Sequence, residues 1–164
     1  MVLPQLFILM AILVMVVYQD LKMRMIHIAL PVALLLISLV ITWNGLQFFE
    51  MLRSLGFLGI NFFVVTCYFS IRQQKLINPF DQLIGWGDVL FLIAVVPLFT
   101  FSYFLLFFIC GIIFSLLLHV IMKTTRMGHT TVPLVGYLSL FILTIIGMHW
   151  AIGPDFIPFM KISF

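Results

Sequence analysis

Charge is scarce in this chain. Only 8% of its 164 residues are Asp, Glu, Lys or Arg, while 65% are hydrophobic. A water-soluble domain carries roughly 25% charged residues to cover its surface, so the shortage excludes a soluble fold and leaves lipid as the solvent. Alternation of apolar and polar residues is also missing. The apolar runs are continuous, which argues against the strands of a lipid-facing barrel. In lipid every backbone polar group must be paired within the protein, and continuous runs do this as helices. Paired cysteines are absent too. Cys67 and Cys110 stand alone inside apolar runs, so neither a CxxC metal or redox site nor a structural disulfide is expected, and small packing residues are the reading. The four histidines, His27, His119, His129 and His149, show no metal-ligand spacing, so no metal and no cofactor is expected. A net charge of +3 is too slight to indicate nucleic acid. With no internal repeat and no soluble segment, the whole of residues 1–164 reads as one domain, and chemistry must sit on membrane helices or at their ends.

Six spans account for the apolar runs: residues 2–18, 26–43, 54–71, a hairpin within 89–122 and, last, 131–150. The first has no basic segment before it and no small-residue cleavage site after it, so it reads as a retained span, not a removed signal peptide. The hairpin follows from length. The 34 residues from Val89 to Met122 would make a single helix of roughly 51 Å, against a hydrocarbon core of about 30 Å. A turn near residues 97–102, with the first arm starting around Leu83, resolves the excess. Basic residues test the arrangement. Connections one, three and five hold Lys22, Arg24, Arg72, Lys75, Lys123 and Arg126, and the other side has only Arg53 and Lys161. Because basic connections stay in the cytoplasm, both termini are expected outside, in the inner (plasma) membrane. The fold class is thus an all-α polytopic bundle of six transmembrane helices.

Acids at membrane depth are costly and are functional candidates by default. Of Asp20, Glu50, Asp81, Asp88 and Asp155, the topology puts Glu50 and Asp155 outside and the other three inside. Asp20 closes the first span. Asp88 opens the fourth, directly after Gly85-Trp86-Gly87. The two share one membrane face although 68 positions separate them. Two carboxylates sharing a site cannot both ionise easily and titrate as a unit. Such a pair can hydrolyse a peptide bond with no metal and no covalent intermediate: the ionised member takes a proton from water, and the neutral member gives one to the scissile carbonyl. Gly85 and Gly87, lacking side chains, would allow a substrate strand or a neighbouring helix to come close.

The string Asp20-Leu21-Lys22-Met23-Arg24-Met25-Ile26, followed later by Gly85-Trp86-Gly87-Asp88, resembles the type IV prepilin peptidases, a family of intramembrane aspartic proteases with a Gly-x-Gly-Asp motif. The opening of the last span, Val132-Pro133-Leu134, is similar in character, and the resemblance covers nearly the whole chain. It implies a six-helix protease core with catalytic aspartates at Asp20 and Asp88. It also implies cleavage of a basic leader from pilin-like precursors at the cytoplasmic face, as in type IV pilus and secretion systems. The partners implied are the precursor, with its hydrophobic helix, and the lipid bilayer. The chain departs from the family in having Ile26-His27-Ile28 where Ile-Pro-Asn is common, and Val89 and Leu90 where a Lys often follows the second Asp. Larger members carry an extension with paired CxxC motifs and methylate the cleaved pilin. The short form, without that methyltransferase extension, is the nearer comparison.

Other readings remain beside this one. A signal-peptide-peptidase or presenilin-like protease shares the Gly-x-Gly-Asp logic, but Tyr18-Gln19-Asp20 is not its Tyr-Asp pair. A small transporter or non-catalytic assembly partner would carry acids deep in its spans. Lys22 and Arg24 either support the aspartate pair or anchor to lipid headgroups. Asp81 reads as a solvated loop acid, and Trp43 and Trp150 as interface anchors. The topology is directly testable: reporter fusions at Lys75 and Arg126 should give cytoplasmic signals, and one after Phe164 an external signal. A cytoplasmic C-terminus would remove the hairpin.

Overall fold

A computed structural model describes residues 3–23, 27–45, 47–73, 85–124 and 133–152. Among the described residues there are six α-helices and no strand: α1 (Leu3–Met23), α2 (Ala29–Thr42), α3 (Phe48–Gln73), α4 (Trp86–Val95), α5 (Phe101–Thr124) and α6 (Leu134–Ile152). Stretches within α1, α3 and α5 are long and apolar enough to cross a membrane, while α2, α4 and α6 hold shorter apolar stretches. This is a membrane protein with three such helices and three shorter ones.

The bundle is built on stripes. On α1 the buried residues are Leu6, Leu9, Leu13 and Val16, a three-and-four spacing that lines one face of a helix. That stripe packs along α6 and α2. α2 buries Pro31, Leu34, Ser38 and Thr42 and lies along α4. α4 is covered on most sides, with Val89, Phe91, Leu92, Ala94 and Val95 all buried. It is the centre of the bundle, and its 10 residues make only about 15 Å of helix.

The chain does break where the length argument puts the turn. Val96–Leu98 forms a 3-10 turn with Pro97 inside it, and proline removes one N–H from the helical ladder. Phe99 is extended and α5 begins at Phe101. The carbonyl of Ala94, near the end of α4, lies 2.9 Å from the Ser38 hydroxyl of α2, which also lies 2.8 Å from the Leu35 carbonyl. Helix ends leave such carbonyls without partners, and Ser38 supplies one inside the core. Behind the turn, Phe99 stacks on Phe107 at 4.9 Å.

Two boundaries differ from the sequence reading: α1 runs on to Met23, past the expected end at residue 18, and α3 begins early. Residues 44–53 read as a connection, yet α3 starts at Phe48 and holds Glu50 in its first turn. Glu50 has two partners there. Its Oε1 accepts from Arg53 at 2.9 Å, and its Oε2 accepts the Phe101 N–H at 3.0 Å. The carboxylate thus caps the start of α5, where backbone N–H groups lack acceptors and the helix dipole favours negative charge.

Close packing of α5 on α6 runs through Gly111. A methyl group there would lie 2.6 Å from Cδ2 of the buried Leu138, whereas Gly59 on α3 has nothing within 4 Å. Gly111→Leu should therefore destabilise the folded protein by about 1–3 kcal/mol, read as a lower thermal midpoint in detergent. Gly59→Leu should stay within about 0.5 kcal/mol of the parent.

Candidate active site

Asp20 lies one helical turn beyond Val16 on the α1 stripe. Positions four apart share a helix face, so Asp20 continues the apolar seam into the bundle, and it is only 6% exposed. What it meets is the beginning of α6. Pro133 precedes that helix, and its carbonyl accepts the Tyr137 N–H at 3.2 Å. The N–H groups of the first turn have no acceptor within the helix. The Gly136 N–H donates to Oδ2 of Asp20 at 2.5 Å. A side chain at that position would be crowded: a Cβ on Gly136 would lie 3.0 Å from Oδ2 and 3.2 Å from Cβ of Asp20.

Asp88 arrives from the other direction. Gly85 occupies the N-cap position of α4 with an extended backbone, φ −63° and ψ 141°. Its carbonyl accepts the N–H groups of Asp88 and Val89 at 3.0 and 3.4 Å. This turn places Asp88 in the first turn of α4, partly buried, where the helix dipole favours a carboxylate. Its carboxylate folds back over the helix start, with Oδ2 about where it would touch a Cβ on Gly85, at 3.6 Å. Asp20 and Asp88 are near enough for their charges to act on one another. The charge of Asp20 also reaches Tyr137, a buried residue whose hydroxyl donates to Sδ of Met122 at 3.2 Å.

The two acids singled out in sequence thus come together, while their expected helpers divide. Gly85 is not forced by its surroundings within the chain. Its φ suits any residue, and the 3.6 Å contact with Asp88 is ordinary van der Waals spacing. Gly87 is half-buried in the first turn of α4. Lys22 is exposed and turns back along α1, donating to the Tyr18 hydroxyl at 2.6 Å with its ammonium 5.0 Å from the ring centre. Arg24 and Asp81 lie outside the described residues. His27 works locally: its Nδ1 accepts the Ala29 N–H at 3.3 Å, and its own N–H donates to Oε1 of Gln19 at 3.2 Å. Gln19 and His27 thus link the last turns of α1 to the start of α2. Gly136 and Tyr137 were not identified from sequence. The one signal near them is the Val132-Pro133-Leu134 opening of the last helix.

Residues 7–120 match the type IV leader peptidase family. The chain belongs to that family. Curated proteins and solved structures show no match to it. Membership makes this chain a leader-peptidase-like protease, and both acids of the site fall within the matched stretch. Its departures from the prepilin peptidase pattern, Ile26-His27-Ile28 and Val89-Leu90, also fall there.

Lys22 supplies a check on this geometry. Held against Tyr18, it contributes on the scale of one exposed charge contact. Lys22→Gln should leave precursor processing within about fivefold of the parent at matched membrane abundance, the factor that such a contact is worth.

Proposed function

We propose that this leader-peptidase-like protease is an aspartic endopeptidase whose catalytic residues are Asp20 and Asp88. Its substrate is a type IV pilin-like precursor, cut at the cytoplasmic membrane face just ahead of the hydrophobic helix. The observation that carries the reading is the meeting of two acids, 68 positions apart, at the ends of two helices. One of them, Asp20, is buried against a backbone donor, and its charge reaches Asp88.

The chemistry follows from the pair. One carboxylate, ionised, takes a proton from a water molecule as its oxygen attacks the scissile carbonyl carbon. The other, protonated, gives its proton to the carbonyl oxygen. The tetrahedral intermediate collapses, the C–N bond breaks, and the departing amine leaves with a proton from the pair. Water is consumed, and the pair is restored by one further proton transfer. Neither a metal nor a covalent intermediate is required. Gly85 and Gly87, at the open start of α4, leave room for the backbone of an extended substrate next to Asp88. The large exposed Trp86, between them, sits where a membrane-interface aromatic belongs.

Asp20→Asn and Asp88→Asn keep the shape of the side chain and remove its acid–base function. Each should lower processing of a co-expressed pilin-like precursor by about 10²–10⁴-fold at matched membrane abundance. Asp81→Asn should be far milder. Normal processing by either Asp20→Asn or Asp88→Asn ends the assignment. Loss with Asp81→Asn but not with Asp20→Asn transfers the first acid to the third connection.

A further inference from the structure

The last helix lies beyond the stretch that matches the family, residues 7–120, and the chemistry above uses none of its residues. Its first turn nevertheless lies against Asp20. We infer that Gly136 is a positioning residue for the Asp20 carboxylate. Its N–H fixes Oδ2, and its missing side chain lets the carboxylate reach the helix end. This inference rests on the reading of Asp20 as one of the catalytic pair.

Three features combine. First, the bond is short, 2.5 Å, and its acceptor is a carboxylate only 6% exposed. A buried carboxylate needs donors, and a bond between a charged acceptor and a backbone N–H is among the stronger kinds. Second, Pro133 sets where the helix begins. Proline is at home at a helix start because the N–H that it lacks is not needed there. The third residue of α6 thereby presents an N–H with no acceptor of its own helix. Third, the site is tight. A Cβ at position 136 would meet Oδ2, Cβ and Cγ of Asp20 at 3.0, 3.2 and 3.6 Å. Cβ of Asp20 is tied directly to the α1 backbone, so relief takes a shift of a few tenths of an ångström in the carboxylate or between the two helices. Gly147, on the same helix, has nothing within 4 Å. The demand for glycine belongs to position 136 and not to α6 in general.

The bond fixes the orientation of the Asp20 carboxylate whichever member of the pair holds the proton, because a carboxyl group accepts at Oδ2 in both states. The last helix thus aligns this acid without touching substrate.

The test uses the full chain in membranes or detergent, with a pilin-like precursor as substrate and steady-state kinetics. Gly136→Ala should lower kcat about ten- to hundredfold, the effect of sub-ångström misplacement of a reacting group, with KM within about twofold. Gly147→Ala should match the parent in both. An unchanged kcat in Gly136→Ala overturns the inference, as does a rise in KM alone or an equal loss in Gly147→Ala. If Gly136→Ala does not accumulate, thermal stability decides through a cycle with Asp20→Gly, which removes the carboxylate together with its Cβ. Gly136→Ala should be tolerated once the carboxylate is gone, and equal instability in both backgrounds overturns the inference. An active Asp20→Asn would instead remove the catalytic-pair reading. An inactive Asp20→Asn beside a fully active Gly136→Ala removes the positioning role alone.

Discussion

Burying a carboxylate among apolar helices is expensive unless donors surround it, and the arrangement of this bundle answers that requirement at Asp20. The apolar stripe of α1 carries the acid inward at its last turn. The seam with α6 brings a backbone N–H to it. Nearby, α4 begins at the Gly85 turn with Asp88 in its own first turn. Two helix starts, those of α4 and α6, therefore serve the two acids. Each start offers unpaired N–H groups and the positive end of a helix dipole. Negative charge is placed where helix ends already favour it, and the described Lys22 is engaged elsewhere.

The same device recurs away from the site. Glu50 of α3 caps the start of α5 through the Phe101 N–H, and Ser38 of α2 meets the Ala94 carbonyl at the end of α4. Several other hydroxyl and amide side chains bond within their own helix: Thr42, Ser54, Asn61 and Thr66 each bond a carbonyl four residues earlier, whereas the buried Ser115 and Ser139 hydroxyls have no partner among the described residues. A chain so poor in polar residues spends them on helix ends and on local back-bonding, as a solvent without hydrogen bonds requires. The break at Pro97 serves the site as well. It makes α4 a short helix packed along α2, with Asp88 in its first turn.

For a protease of the type IV leader peptidase family, these features connect structure with function. The acids stand at helix ends instead of in mid-span. The exposed start of α4 and the exposed Trp86 beside it leave one side of the pair approachable, while the α6 side is closed by Gly136 and the buried Tyr137.

Much of this was readable in the amino-acid order. Continuous apolar runs dictate helices in lipid, and the excess length of one run together with Pro97 locates the break between α4 and α5. Asp20 and Asp88 stand out as boundary acids, and their motifs point to the leader peptidases. The spacing Leu6, Leu9, Leu13, Val16, Asp20 even contains the inward direction of the first acid. Three matters were decided only by tertiary structure. The start of α3 at Phe48, with Glu50 inside the helix, depends on an acceptor being needed at Phe101, a residue 51 positions away. The outward turn of Lys22 depends on a tyrosine one turn earlier and on which face of α1 the bundle covers. The role of Gly136 depends on how closely α6 approaches α1. Periodicity along a chain specifies which face a residue occupies. Which backbone donor waits opposite that face is set by the packing of helices distant in sequence, and no local pattern encodes it.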